Sequence, residues 1–519
     1  MVFKWPGEKV DHLMADPKQA RELVEDLPAN EGKALEEITY WLETITRTPA
    51  FKVEQRFDNV SLLDSAAKTR VRKLSLDYLS MPRQMKFQEH RLWTAIYGFW
   101  QQLGRAYLGC VDQFETAGLV GLTIIRRSLP LMVARALRAL TLQLKWSLLR
   151  YGPVERRIWT DITRLYQAAE KRGFLDSAIE VYPGSNGKGT VKAEFLKALM
   201  LWASSTDGLA PMRQEIAERL VAHFSGEFRF ASRPDGCTHC FDPASPRAPA
   251  RLFKGAESAS GLVFFGAGPA LGALEALAAR IREGGAIPAD IELGGSYQKD
   301  VVLGVVRHLA TYWSADPPAR SSERRPTAGR ITVIPGFREV LQVLDPSAGD
   351  ELDFSQEQPA ESWIVENVSD GGYGTIIPAV KSDWIQVGTM IGMRREHDSV
   401  WTIGLIRRIA RDDRNQRRVG IQTLSRTAIP VRLVRAGSTD TSFNVSREPQ
   451  PAILLATATD RNGEITVIMR EGIFSARDRM EMTIGGKSYL LQPARLIEGG
   501  EDFDWAAFRV KSNKQVRQS

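Results

Sequence analysis

Cysteine is scarce. The 519-residue chain has three, Cys110, Cys237 and Cys240. Three cannot all pair, and a chain this long buries a core without cross-links, so a disulfide scaffold is excluded and a reducing, cytoplasmic setting is expected. Histidine is scarce too: His12, His90, His223, His239, His308 and His397 are scattered along the chain. No H-E-x-x-H, H-x-E or G-x-S-x-G pattern occurs, so no catalytic residue is assigned and the protein is not expected to be an enzyme. Long apolar runs are also missing. The uncharged stretch Ser258–Leu274, SASGLVFFGAGPALGAL, has 17 residues, four of them glycine and one proline. That is short for a membrane span and reads as a buried helix or loop. The opening MVFKWPGEKVDHL has no uninterrupted apolar segment, so no signal peptide is expected. Charge of one sign is not in large excess: 69 Lys and Arg against 62 Asp and Glu give +7, a weak bias toward anionic partners.

What is present is ordinary globular material, 43% apolar and 25% charged. The length calls for about two to four domains. The first part reads as helix. Asp16-Pro17 supplies an acidic cap and a proline at the first helical position before KQARELVEDL. Helical periodicity continues through ALEEITYWLETI, AAKTRVRKLSLDYLS and the apolar-rich stretch 87–150, whose stripe includes Trp93, Ile96, Trp100, Leu103 and Tyr107. Gly118, Gly121 and Pro130 break this stretch, and the isolated Gly98, Gly104 and Gly109 weaken the case for one continuous helix. Trp146 and the stripe are expected to pack helices together. Further helices are expected at 158–171, 191–202, 212–224, 267–281 and 296–313.

At residues 314–330, SADPPARSSERRPTAGR, the composition shifts to Pro, Ser and Arg, and beyond it the apolar period becomes two. ITVIPGFREVLQVL, SWIVENVS, GTIIPAV, VGTMIGMRR, SVWTIGLIRRIAR, RRVGIQTLS and AIPVRLVR contain candidate strands, and a second set follows Pro451. The fold class is therefore multidomain α+β: a large all-α N-terminal region, then an antiparallel β-barrel, then additional C-terminal β strands. The expected divisions are a helical bundle at 1–180, a second helical lobe at 181–315, an Arg/Pro-rich linker at 316–330, a barrel at 331–440, and a small β domain or barrel extension at 451–512.

Two motifs imitate functional sites. GSNGKGT at 184–190 has the glycines, Lys and Thr of a phosphate loop, and resembles the nucleotide loop of the Mur-ligase and folylpolyglutamate-synthetase family. Only two residues separate Gly184 from Gly187, however, where the P-loop needs four, and the surroundings are helical. A helix–helix turn is the simpler account. CTHC at 237–240 offers Cys237, His239 and Cys240 as weak metal candidates in what reads as a loop. A tetrahedral site wants a fourth ligand, for which His223 is the nearest choice. No metal is assigned.

The stretch VENVSDGGYG, 365–374, carries more. Alternation ends in Asp370-Gly371, a turn dipeptide, and a plain hairpin with glycines in unusual backbone angles would explain it. Its neighbourhood is rich in arginine. Arg324, Arg325 and Arg330 precede the first strand, and residues 400–435 hold nine arginines against Asp412 and Asp413, a balance of 9 − 2 = +7. Guanidinium forks suit phosphate and guanine edges. With this pattern, residues 320–430 resemble the PilZ domain family, bacterial receptor modules for cyclic di-GMP. That family carries R-x-x-x-R in a loop before the first strand and [D/N]-x-S-x-x-G later. Asn367-Val368-Ser369-Asp370-Gly371-Gly372 fits the second motif. Arg325 and Arg330 depart from the first, with four intervening residues instead of three. The resemblance implies a PilZ-like barrel in which Asn367 and Ser369 bond a guanine or phosphate. Gly372 admits close approach, and Arg324, Arg325 and Arg330 clamp the phosphates. It also implies a signal passed through the helical half to an unknown protein partner. Other readings are a ligand-free PilZ-like adaptor, or a nucleic-acid binder using the basic strands 400–435. The latter is disfavoured because Trp401 is the lone aromatic there for stacking bases. No cofactor is expected.

Overall fold

The computed structural model describes residues 10–82, 85–116, 125–183, 189–252, 261–316, 323–345, 360–377, 384–412, 414, 416–436, 449–456, 463–484 and 486–511. The chain divides into two compact units, Met1–Thr206 with Pro211–Ala319, and Arg320–Ser519 with Asp207–Ala210.

The first unit is built on helices α1 (Pro17–Glu25), α2 (Glu31–Arg47), α3 (Val53–Ser80), α4 (Lys86–Thr116), α5 (Leu129–Leu148), α6 (Arg156–Lys171), α7 (Val191–Ala203) and α8 (Pro211–His223). The cap signal at the first helix holds: Asp16 accepts from the backbone N–H groups of Lys18 and Gln19, with Pro17 at the first position. α4 runs unbroken through its three glycines. At Gly104 an added Cβ would lie 3.4 Å from Leu140, so the glycine lets α4 and α5 approach closely. Ile96, Leu103, Tyr107 and Trp146 are buried as expected. Of GSNGKGT, 184–188 lie outside the described residues, as do Gly118 and Gly121.

This unit is not all helix. A four-stranded antiparallel sheet, order β1-β4-β2-β3, is formed by β1 (Arg229–Ala231), β2 (His239–Phe241), β3 (Ala250–Arg251) and β4 (Val263–Gly266). The VFFG segment expected as helix or loop is therefore a strand, and half of CTHC lies on one. Phe264 faces Cys240 and Phe265 faces His239 across the β2–β4 pair, so each strand gives the other the cover neither finds locally. Helices α9 (Pro269–Arg282) and α10 (Lys299–Trp313) follow.

The second unit holds two closed barrels. The first comprises β5 (Arg325–Pro335), β6 (Glu361–Ser369), β7 (Gly372–Ile377), β8 (Met390–Arg395), β9 (Thr402–Arg411) and β10 (Arg417–Ser425). The second comprises β11 (Ala428–Arg435), β12 (Gln450–Leu455), β13 (Glu464–Arg470), β14 (Met480–Ile484), β15 (Lys487–Gly499) and β16 (Phe503–Lys511). The late strands are thus a barrel of their own, and AIPVRLVR opens it rather than closing the first, pairing with β12 and β14. The last six residues of the expected fifteen-residue linker are also strand. β5 begins at Arg325, and a bulge between Pro326 and Gly329 keeps its early residues in register with β6. FREVLQVL, expected within a strand segment, is helix α11 (Phe337–Leu344). Gly336, at φ 86°, breaks the strand, and Phe337, Val340 and Leu341 fall on one helical face.

Around each barrel the strands follow the same cycle. In order of appearance, the first pairs the second, the second the third, the third the sixth, then the fifth, the fourth and back to the first. The barrels join through one apolar cluster. The first barrel gives Ile334, Met390, Ile403, Leu405 and Leu424, α11 gives Phe337, Val340 and Leu341, and the second gives Ile453, Leu455, Ile468 and Phe503. The interior of the second barrel is a separate cluster around Val467, Met469, Ala506 and Phe508. Alternation along β12, β13 and β16 therefore puts Ile453, Ile468 and Phe503 on the outer face, and that face is the one that packs.

Candidate functional site

β6 and β7 are joined by the two-residue turn Asp370–Gly371, as the turn dipeptide predicts. The register across β6, β7 and β10 sorts the side chains by face. Val365, Thr375 and Val419 stand opposite one another and are buried, which marks the interior. The alternate residues face outward in rows. Asn367 faces Gly374, which faces Gly420, which faces Arg408 on β9. One row nearer the turn, Ser369 faces Gly372, which faces Gln422. One row farther, Arg330 on β5 faces Ile364, then Ile376, then Arg418. Rows two residues apart lie roughly 7 Å from each other. The result is a floor of three glycines on the outer wall, edged by Asn367 and Ser369 on one side and by Gln422, Arg418 and Arg408 on the other.

The glycines are there for space. Neither Gly372 nor Gly374 has the positive φ expected of a glycine-dependent turn. A Cβ on Gly372 would stand 1.9 Å from the carbonyl oxygen of Ile421, and one on Gly374 would stand 2.6 Å from Asn367 Oδ1. The Asn367 amide thus lies over Gly374. Its Oδ1 is buried and has no hydrogen-bond partner among the described residues, an acceptor that calls for a donor. Ser369 Oγ donates to Gly372 O at 3.4 Å.

The three arginines are not gathered at one point. Arg330 shares the outer face with Asn367, but its Nη1 donates to Ser362 Oγ at 3.2 Å. Arg325 pairs with Val368, so alternation turns it to the other face, and Arg324 stands just ahead of the strand. Both are exposed. Sequence spacing treats them as one loop motif, whereas the ladder makes Arg325 and Arg330 strand residues. The basic stretch 400–435 is partly neutralised: Arg407 forms a two-pronged pair with Glu498 (2.7 and 2.7 Å), Arg418 lies 3.4 Å from Glu366, and Arg408 pairs with Asp207. Arg426, in the β10–β11 connection, lies 4.0 Å from Asp370 at the hairpin turn. Gln422 escaped the sequence reading. Its signal is its place in a strand whose partner carries the motif glycine, and that needs the register.

CTHC is a packed feature. Cys237 and Cys240 are buried against Phe264, and burial raises both thiols. His239 stacks on Phe265 at 5.4 Å, and burial, aided by Arg251, holds its imidazole down to about 4, so it is neutral at pH 7. Among the described residues no group of three or more His, Cys, Asp or Glu could hold a metal ion. No described helix is long and apolar enough to cross a membrane.

Residues 18–235 match the family model of the N-terminal domain of the cyclic-di-GMP receptor FimW, and residues 345–430 match that of its middle PilZ domain. Neither description is of an enzyme. The curated cyclic-di-GMP receptor FimW of Pseudomonas aeruginosa strain PAO1 is 24% identical over 177 residues, which cover 34% of this chain and 27% of that protein. The match thus spans about a quarter of the relative's length. The PilZ match takes in β6 to β10, with the Asn-Ser-Gly motif, and begins after β5, which bears Arg325 and Arg330. The C-terminal part of the chain therefore contains a PilZ domain, joined to an N-terminal region that matches the FimW N-terminal domain.

Proposed function

We propose that this chain is a cyclic di-GMP receptor that takes the dinucleotide on the outer wall of its first barrel. The observation that carries the proposal is the glycine floor of Gly372, Gly374 and Gly420 beside Asn367, whose buried Oδ1 lacks a donor. Glycines at these positions keep side chains off the wall beside the Asn367 amide. A guanine edge offers N–H donors to an amide oxygen, and phosphates call for guanidinium groups nearby. Ser369 and Gly372 complete the base side, and Arg330 on the same face, with the exposed Arg324 just ahead of the strand, supplies the phosphate side. The signal then passes through the helical unit to a protein partner, and the protein acts in the cytoplasm as a receptor, without catalysis.

Calorimetric titration with cyclic di-GMP tests this. Saturable binding by the wild type is expected, lost in Asn367→Ala and weakened at least tenfold in Arg330→Ala, the loss of a charge-assisted contact. A well-folded wild type that takes up no ligand would leave the barrel as an adaptor acting through protein contacts.

A further inference from the structure

Gln422 stands beside the motif glycine. It faces Gly372 across the β7–β10 pair, and its Cα is 3.3 Å from where a Gly372 Cβ would be. Its side chain is exposed, on the outer wall. Arg407 is the extra residue at a register shift, where Gly420 pairs with Arg408 and Ile421 with Ile406. Its Nε donates to Gln422 Oε1 at 2.6 Å, while Nη1 and Nη2 donate to Glu498 Oε1 and Oε2 on β15.

That arrangement fixes which way the amide points. A guanidinium only donates, so the Gln422 atom facing Arg407 must be the oxygen. The amide nitrogen, with two N–H donors, is turned away, and no described residue accepts from it. The carboxylate of Glu498 holds the other prongs of Arg407 and so favours the guanidinium staying beside the amide. A strand of the second barrel thus sets the orientation of a side chain beside the candidate site on the first.

We infer that Gln422 is a further ligand-contacting residue that presents its amide N–H donors to a purine or phosphate acceptor, with Arg407 and Glu498 as its positioning residues. The inference rests on the receptor proposal above. It adds a specificity element: guanine shows two acceptors, O6 and N7, on its major-groove edge, whereas adenine pairs its N7 acceptor with an N6 donor. A donor-only group at 422 favours the guanine dinucleotide.

The test measures affinity for cyclic di-GMP and cyclic di-AMP by calorimetry on the full chain, with thermal melts as a folding control. Gln422→Ala should bind cyclic di-GMP about tenfold more weakly, the loss of one hydrogen bond. Gln422→Glu puts an acceptor where the donor stood. It should lower the ratio of cyclic di-GMP to cyclic di-AMP affinity by tenfold or more. Arg407→Met, which frees the amide to turn, should shift the ratio in the same direction by a smaller factor. If the wild type binds, Asn367→Ala abolishes binding, and both Gln422 variants keep wild-type affinity and ratio, the inference falls while the receptor reading stands. If the wild type binds neither dinucleotide, both fall together.

Discussion

Two glycines two residues apart serve different ends. Gly372 lies against backbone, so a methyl group there meets the Ile421 carbonyl, which cannot move without parting β7 from β10. Gly374 lies against the Asn367 amide, the end of a side chain that can swing. Gly372→Ala should therefore destabilise the fold by about 1–3 kcal/mol, the range for overpacking. Gly374→Ala should keep the fold and lose ligand by displacing Asn367. Urea denaturation alongside titration separates the two outcomes, and equal effects on stability would refute the distinction. The motif residues themselves were legible in the sequence because turn chemistry and a short polar pattern are local. The reason for the glycines was not, since it depends on β10, whose facing residues lie some fifty positions along the chain.

Helices α5 and α8 are clamped by a buried ionic group. Lys145 reaches Glu215 at 2.6 Å and Glu218 at 2.8 Å, and Arg219 lies 3.0 Å from Glu215. Burial alone would raise the Glu218 carboxyl, but Lys145 and Arg219 outweigh it and hold the group down to about 2. Its folded value is thus below its unfolded value near 4.5. The stabilisation is complete above about pH 4.5 and is lost as pH falls toward 2. Urea midpoints measured from pH 6 to 2.5 should drop steeply below pH 4.5, and less steeply in Glu218→Gln. A separate loss that begins below pH 6.5 is expected from His239, which must take up a proton on unfolding, and it should persist in Glu218→Gln. Helices like these were legible because caps and apolar stripes are written within a few turns. α11 was legible in principle, with Phe337, Val340, Leu341 and Leu344 at helical spacing, but its eight residues were hidden by the strand before them. β1 to β4 are two to four residues long and exist only through pairing, so no window of sequence displays a period for them.

At the scale of the molecule, alternation announced strands but not how many barrels they close. Closure is decided by which distant strands meet, and the apolar period of β11 is the same whichever barrel it joins. The barrels share one strand cycle, yet their matching walls differ. On β6, β7 and β10 the wall is glycine and polar side chains, whereas on β12, β13 and β16 it is Ile453, Ile468 and Phe503, packed on α11 and the first barrel. One copy of the wall is built of glycine and polar side chains, and the other is closed by its neighbour. The shared seam has a practical consequence for anyone seeking a smaller protein. A chain ended at Ser425 would keep every strand of the first barrel and α11, but it would strip the cover that Ile453, Leu455, Ile468 and Phe503 give to their shared cluster, a greasy scar where a partner was torn off. Light scattering should find that fragment sticking to itself, while the chain carried through Lys511 stays dispersed. The first barrel is thus complete in its strands, while the second barrel supplies part of its apolar cover.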